Sequence, residues 1–210
     1  GDFIGNYAES STSTTKSTVA GGAIYNDDST IGDITGDFIG NHVSPSHSGG
    51  SSRAYGGAIY NNEATIGNII GDFIGNYADY SVNGTDGGAI FNDNSTIGDI
   101  TGNFIGNYAF GSGSAYGGGI YNYNNSTIGN ITGDFISNYT ETDSANAVGG
   151  AIYNGSESTI GNITGDFIGN YAIPNVSARG GAIANDGGTI GNITGDFIGN
   201  YAKSSSYSAS

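Results

Sequence analysis

The chain has 210 residues, of which 40 are Gly and only 2 are Pro, and it contains no Cys, Met or Trp. Its 19 acidic residues against 4 basic ones give a net charge of −15. This balance argues against nucleic acid as a partner, and the lack of Cys excludes disulfides and thiolate metal sites. No apolar run is long enough for a transmembrane helix. Because 36% of residues are hydrophobic, too many for a disordered chain, a packed structure must bury them.

Three short sequence motifs recur along the chain in a fixed order. Phe-Ile-(Gly/Ser)-Asn occurs seven times, with Phe at positions 3, 38, 73, 104, 135, 167 and 197. Gly-Gly pairs begin at 21, 56, 87, 117, 149 and 180, and Thr-Ile-Gly begins at 30, 65, 96, 127, 159 and 189. The period is therefore 30 to 35 residues, which is typical of solenoids and other repeat architectures.

The rigid part of a module, 21–43 in the first complete copy, predicts three short strands. In chain order these are Gly-Ala-Ile-Tyr-Asn at 22–26, Thr-Ile-Gly-Asp-Ile-Thr at 30–35, and Gly-Asp-Phe-Ile-Gly-Asn at 36–41. Ile, Phe, Tyr and Thr favour strands, and the intervening Gly residues favour tight corners. We therefore expect an all-β fold, a right-handed parallel β-helix with about one coil of three strands per module. A propeller blade needs more residues than this segment offers.

Length varies in only one segment of each module. The distance from the Gly pair to the next Phe is 17 or 18 residues, whereas the distance from the motif Asn to the next Gly pair ranges from 10 to 15. The variable segments, such as 9–20 and 44–55, are rich in Ser, Thr, Ala and Tyr and are expected to be surface loops. We predict one β-solenoid domain over 1–210, a piece of a longer array with six to seven repeats. Residues 203–210 should form a flexible Ser-rich tail.

In a solenoid each repeated position becomes a row along the rod. Two Ile rows and one Phe row are the expected core, and two Asn rows are expected to form amide ladders at the corners, because an amide both donates and accepts hydrogen bonds. The Ile rows begin at Ile31 and Ile34, and the Phe row begins at Phe3. The Asn rows are Asn6, Asn41, Asn76, Asn107, Asn138, Asn170, Asn200 and Asn26, Asn61, Asn92, Asn122, Asn154, Asn185.

One acidic row raises the question of a metal. It consists of Asp2, Asp37, Asp72, Asp134, Asp166 and Asp196, interrupted by Asn103. Stacked carboxylates at the strand spacing would repel one another, and calcium, which prefers oxygen ligands, would relieve that repulsion. The alternative is a row of hydrated carboxylates that keeps the rod soluble. The chain lacks the nonapeptide of calcium-binding β-rolls, so no cofactor is predicted and calcium at this row stays open.

Two aromatic rows are candidates for a partner-binding surface or for packing. They are Tyr7, His42, Tyr77, Tyr108, Tyr139, Tyr171, Tyr201 and Tyr25, Tyr60, Phe91, Tyr121, Tyr153, Ala184. Catalysis has little support, because His42 and His47 are the only near-neutral bases and the positions equivalent to a carboxylate pair such as Asp33 and Asp37 recur in module after module. We therefore expect a protein that is not an enzyme.

Alternating Gly-Gly-Ala-Ile and Phe-x-x-Asn tetrapeptides over the whole chain resemble the repeat of the chlamydial polymorphic outer membrane proteins and related autotransporter passengers. The resemblance implies a β-helical adhesin at a bacterial surface that contacts host or neighbouring cells, with glycans among the candidate ligands. It also implies adhesion-motif positions. These are Gly21, Gly22, Ala23, Ile24, Phe38, Asn41, Gly56, Gly57, Ala58, Ile59, Phe73 and Asn76.

Other functions fit the same architecture. Near-identical coils predict end-to-end stacking into an extracellular fibre, since repeat proteins normally carry distinct caps. A polysaccharide-binding or polysaccharide-degrading β-helix is a lesser alternative. Ice binding would need paired Thr-x-Thr spacing, and here the Thr that follows Thr30 is five residues away at Thr35.

Overall fold

The computed structural model describes residues 1–10, 17–45 and 51–204, and all the regular structure in these ranges is β-strand. The strands form six parallel sheets, and each sheet takes one strand from every coil. Successive coils pair in constant register along the Phe row, with Phe3 opposite Phe38 and Phe38 opposite Phe73, whereas the register shifts between Ala78 and Ser81 where that strand pairs with Tyr108–Gly111. The predicted parallel β-solenoid is confirmed. The predicted tail lies outside the described residues from 205 onward.

Four sheets, which we call the body, enclose the main core. Sheet 1 contains Phe3–Ile4, Phe38–Ile39, Phe73–Ile74, Phe104–Ile105, Phe135–Ile136, Phe167–Ile168 and Phe197–Ile198. Sheet 4 contains Ile24–Asp27, Ile59–Asn62, Ile90–Asp93, Ile120–Tyr123, Ile152–Gly155 and Ile183–Asp186. Sheet 5 contains Thr30–Ile31, Thr65–Ile66, Thr96–Ile97, Thr127–Ile128, Thr159–Ile160 and Thr189–Ile190. Sheet 6 contains Ile34–Thr35, Ile69–Ile70, Ile100–Thr101, Ile131–Thr132, Ile163–Thr164 and Ile193–Thr194.

Two further sheets, which we call the arm, are built from the segments of variable length. Sheet 2 contains Tyr7–Ser10, His42–Pro45, Tyr77–Ser81, Tyr108–Gly111, Tyr139–Thr142, Tyr171–Ile173 and Tyr201–Ala202. Sheet 3 contains Ser17–Ala20, Ser52–Tyr55, Gly84–Asp86, Ala115–Tyr116, Ala147–Val148 and Ala178–Arg179. The segments expected to be loops therefore carry paired strands wherever the structure describes them, because each one finds a parallel partner in the next coil.

A complete coil thus has six strands, where the sequence predicted three. Besides the two arm strands, the predicted strand 30–35 is divided between sheets 5 and 6. The division falls at Gly32 and Asp33, where the Asp33 Oδ1 accepts a hydrogen bond from the Asn68 N–H at 2.7 Å. This side chain replaces a backbone acceptor, so the chain turns a corner there.

The main core confirms the predicted Phe and Ile rows. The rings of Phe38, Phe73, Phe104, Phe135 and Phe167 are completely buried. Neighbouring rings in this row lie 4.5 to 4.8 Å apart and nearly parallel. Ile59 and its equivalents in sheet 4 add a third Ile row to the two that were predicted. Each coil closes the core of the one before it, so no coil is a separate packing unit.

The arm has its own smaller core. Val19 and Ala54 of sheet 3 pack with Val43 and Ala78 of sheet 2. Further along the rod the inward positions of the arm hold Ala or Thr, such as Ala109 and Thr140, both completely buried. Because these side chains are small, the arm buries much less apolar surface per coil than the body does.

The two kinds of Gly corner differ in what they demand. A Cβ at Gly57 would lie 2.2 Å from the Gly88 carbonyl oxygen of the next coil, so only Gly fits between the coils. In contrast, Gly40 has a φ of +62° with open space around it, and its equivalent in a later coil is Ser137 with a φ of +54°. The first position is fixed by close backbone approach and the second only by conformation.

Candidate binding cleft and aromatic rows

The adhesion-motif positions implied by the resemblance lie mainly in the interior of the coil. Phe38, Asn41, Ala58, Ile59 and Phe73 have no exposed surface, and neither has Asn76. Gly56 and Gly57 are buried, while Gly21, Gly22, Ala23 and Ile24 of the first complete coil are partly buried. Side chains without exposed surface cannot touch a partner, so the completely buried members shape the interior of the rod, and the adhesive role of the motif positions stays a prediction.

Both Asn rows form the predicted ladders. The Asn107 Oδ1 accepts hydrogen bonds from the backbone N–H and the Nδ2 of Asn76 at 2.9 and 3.0 Å. The Asn107 Nδ2 donates to the Phe73 carbonyl at 2.8 Å and to the Asn138 Oδ1 at 2.9 Å. In the second row, the Asn92 Nδ2 donates to the Asn122 Oδ1 at 2.8 Å. The buried Asn side chains of both rows thus satisfy their hydrogen bonds through the adjacent coils.

The acidic row has a structural use that the sequence did not reveal. The Asp37 Oδ1 accepts from the Asp72 N–H at 2.9 Å, and the Asp134 Oδ1 accepts from the Asp166 N–H at 2.8 Å. Asn103 fills the same position without breaking the pattern, because its Oδ1 accepts from the Asp134 N–H at 2.9 Å. Within the described ranges, no three His, Asp or Glu side chains lie together as a metal site would require.

The first aromatic row stands on the outer face of sheet 2. Tyr77, Tyr108, Tyr139 and Tyr171 are partly buried, and their ring centroids are 4.7 to 4.8 Å apart. His42 continues this stack, with its ring 4.7 Å from that of Tyr77. Burial raises the pKa of Tyr139 to about 12, so its hydroxyl stays protonated at neutral pH. The row is a continuous, uncharged aromatic strip along the arm.

The second aromatic row stands on the outer face of sheet 4, where the arm covers part of it. Phe91, Tyr121 and Tyr153 are 4%, 9% and 7% exposed. The ring of Tyr55 in sheet 3 lies 4.6 Å from that of Phe91, and the ring of Tyr116 lies 5.1 Å from that of Tyr153. The aromatic residues at the last position of sheet 3 therefore seal the junction between arm and body.

That seal is interrupted at Asp86. Asp86 pairs with Tyr55 on one side and Tyr116 on the other in sheet 3, so a short acid stands between two tyrosines. A cleft of about 300 Å³ opens beside it. Its principal lining residues are Arg53, Asp86, Tyr116, Tyr121, Tyr123 and Tyr153.

The acid in this cleft is poorly solvated, whereas Arg53 is exposed. Asp86 is 9% exposed and its Oδ1 has no hydrogen-bond partner. Burial raises the pKa of Asp86 to about 8; Arg53 opposes this shift and Asp93 adds to it. The Arg53 Nη1 donates to the Tyr55 hydroxyl at 2.7 Å, and this bond is the main reason why the pKa of Arg53 is raised. Burial also raises the pKa of Tyr121, so its hydroxyl remains neutral.

Sequence reasoning missed this cleft. The repeats predict only residues that recur, whereas Asp86 departs from its row in sheet 3. That row contains Ala20, Tyr55, Asp86, Tyr116, Val148 and Arg179. The available signal was the acid directly before the third Gly pair, where the neighbouring modules have Tyr.

Of the two candidate bases, the structure describes only His42. The His42 Nε2 lies 3.6 Å from the Glu9 Oε1, at the surface of the arm and away from the cleft at Asp86. His47 lies outside the described residues. The absence of an enzymatic activity stays a prediction.

No protein family matches this chain, and comparisons with curated proteins and with solved structures found no match either. Within the described residues no helix is long and apolar enough to cross a membrane.

Proposed function

We propose that the chain is an extracellular structural and adhesive rod of a bacterial surface, in which the body provides length and the arm provides contacts. The observation that carries this proposal is the division of variation between them. Body strands repeat nearly unchanged in every coil, whereas the outer positions of the arm change from coil to coil, as from Ser44 to Phe110 to Glu141. A constant frame with variable outward side chains suits recognition.

The charge of the rod restricts its partners. A net charge of −15 repels acidic polysaccharides, nucleic acids and anionic lipid surfaces at long range. The stacked aromatic strip of sheet 2, by contrast, offers apolar faces with neutral hydroxyls. Neutral glycans and protein surfaces with apolar patches are therefore the favoured partners on host or neighbouring cells.

An adhesion assay tests the proposal. Beads coated with the chain should bind to epithelial or bacterial cells more than albumin-coated beads, and soluble chain should compete. Replacing Tyr80 and Phe110 by Ser, two outward aromatic residues of the arm whose rings are 6.1 Å apart, should reduce binding at unchanged circular dichroism. Binding equal to that of albumin-coated beads on every cell type would refute an adhesive role.

A self-assembling fibre is the second candidate, and the constant register favours it. Each coil pairs with the next through the same two-residue strands of sheets 1, 5 and 6, so the edge of one coil is complementary to that of any other. Electron microscopy of the purified 210-residue chain tests this candidate: filaments longer than one chain support it, and discrete short rods exclude it.

A further inference from the structure

The cleft at Asp86 has the features of a built site rather than a gap in packing. It contains a carboxyl group that is nine-tenths buried and has an oxygen without a hydrogen-bond partner. A buried oxygen in that state costs free energy unless something else supplies a donor. The wall around it combines a guanidinium group with several tyrosines. Donor, acceptor and aromatic surface therefore converge on one space.

The charges select the kind of ligand. An anion would meet the nearby Asp93 and the net negative charge of the whole chain. A cation would have to share the cleft with Arg53, which lines it. A neutral ligand avoids both penalties. Because the cleft offers donors from Arg53 and the tyrosine hydroxyls and an acceptor at Asp86, the ligand should both donate and accept hydrogen bonds.

The rings select its shape. Tyr121 and Tyr153 stack with their planes 14° apart, and the Tyr116 ring stands at 63° and 61° to them. A ligand at this corner contacts aromatic surface as well as hydroxyl groups. Hydroxyl-rich rings with one apolar face have this chemistry, and a volume of about 300 Å³ is at the small end of ligand pockets.

We propose that the cleft between sheets 3 and 4 at Asp86 binds a neutral sugar unit, with Asp86 and Arg53 bonding its hydroxyls and Tyr116, Tyr121 and Tyr153 contacting its ring. The proposal rests on the adhesive role above and assigns one ligand site to it. It places specificity at a single coil, since no other position in the described part of sheet 3 has an acid between two tyrosines.

Two variants separate binding from folding. Asp86→Ala removes the acceptor and should leave the rod folded, because the lost group has an unsatisfied oxygen. Gly84→Leu keeps Asp86 but fills the cleft: a Cβ at Gly84 would lie 3.9 Å from both the Asp86 Oδ2 and the Ser114 carbonyl oxygen, an ordinary contact distance. The matched controls are Asp143→Ala, at an exposed acid of the arm, and Gly32→Leu, at a corner with open space.

The experiment is a titration of the intact chain followed by NMR shifts and tyrosine fluorescence, which is free of Trp background. The probes are glucose, galactose, mannose and N-acetylglucosamine, with glucosamine and glucuronate as cationic and anionic analogues of glucose. We expect at least one neutral sugar to shift resonances of the cleft, and the charged analogues to bind at least tenfold more weakly. Asp86→Ala and Gly84→Leu should each weaken binding at least tenfold, whereas Asp143→Ala and Gly32→Leu should not.

Three results would overturn the proposal: no response to any neutral sugar, binding of glucosamine or glucuronate alone, or sugar binding that both cleft variants retain. Sugar binding is measured on the chain alone and adhesion on coated beads, so each proposal fails separately. Adhesive beads without sugar binding would overturn only the site, and sugar binding without adhesive beads would overturn only the adhesive role.

Discussion

Body and arm belong to the same coils but obey different rules. In the body, the Phe104 ring lies between those of Phe73 and Phe135 at 4.7 and 4.8 Å, and its strand continues the same residue row along the rod. In the arm, the corresponding inward position holds Ala78, Ala109 or Thr140, and the outward positions beyond the Tyr row change between coils, as from Phe110 to Glu141. Large repeated side chains fix the period of the body, whereas small ones let the arm change length.

The comparison shows how a repeat protein separates stability from specificity. Substituting one member of a body row leaves a cavity between two neighbours that cannot collapse, because the backbone hydrogen bonds hold the coils at fixed spacing. Substituting an outward arm residue changes only one or two contacts. The Asp86 cleft arises in this way, from one altered residue on an unchanged strand register.

The largest effect should come from the body. Phe104→Ala removes a completely buried ring from the middle of the Phe stack and should lower the free energy of unfolding by about 3–5 kcal/mol. Tyr108→Ala removes a stacked but only partly buried ring from the arm and should cost about 1 kcal/mol. Urea unfolding followed by circular dichroism measures both. Equal losses would contradict the assignment of stability to the body.

The second-largest loss in free energy of unfolding should come from a substitution in the buried Asn ladder. Asn107→Ala removes the acceptor of two Asn76 donors and the Nδ2 donor of the Phe73 carbonyl, while the Asn138 Oδ1 keeps only the bond from the backbone N–H of residue 107. Since each unsatisfied buried group costs about 1–3 kcal/mol, a loss of about 3 kcal/mol is expected.

Asn130→Ala is the control for that ladder. The Asn130 Oδ1 accepts from the Asn162 N–H at 2.9 Å, but Asn130 is exposed and water can replace it. Its cost should stay below about 1 kcal/mol. If the two Asn variants unfold at the same urea concentration, burial does not account for the contribution of the Asn107 ladder to the free energy of unfolding.

Sequence reasoning predicted the body well because every body residue recurs, and recurrence at a fixed period leaves one arrangement for rows such as Phe3 to Phe197. It underestimated the arm for the opposite reason. The arm strands are defined by pairing with the next coil rather than by residue type, as where Gly84, Thr85 and Asp86 pair with Arg53, Ala54 and Tyr55. The chemistry of the cleft could not be predicted from the sequence, because it depends on the burial of Asp86, and that burial follows from the packing of neighbouring coils.

The buried acid should make stability depend on pH. Asp86 has a pKa of about 8 in the folded chain and its ordinary value near 3.8 when unfolded. Between these values the unfolded chain has lost the proton and the folded chain keeps it, so the free energy of unfolding falls as pH rises from about 4 to about 8. Asp86→Asn removes this contribution. Relative to the parent chain, the variant should gain about 2 kcal/mol between pH 6 and pH 8.

Urea midpoints of both chains across this range isolate the contribution of Asp86, because all other acids are common to the two proteins. A difference that stays constant from pH 6 to pH 8 would show that the carboxyl ionises in the folded chain as it does in water. Arg53 would then compensate fully for its burial.

The smallest expected change in the free energy of unfolding comes from a residue of the arm, and it is a stabilisation. Thr140 is completely buried, and its Oγ1 has no hydrogen-bond partner, so the hydroxyl is desolvated without compensation. Thr140→Val keeps the shape and removes that group, and should stabilise the chain by about 1 kcal/mol. Thr85→Val is the matched control, since Thr85 is equally buried but its Oγ1 donates to the Phe110 carbonyl at 3.3 Å. Urea midpoints measure both variants. A higher midpoint for Thr140→Val, together with an unchanged or lower midpoint for Thr85→Val, would show that buried polar groups in the small arm core need hydrogen-bond partners, as they do in the Asn ladders of the body.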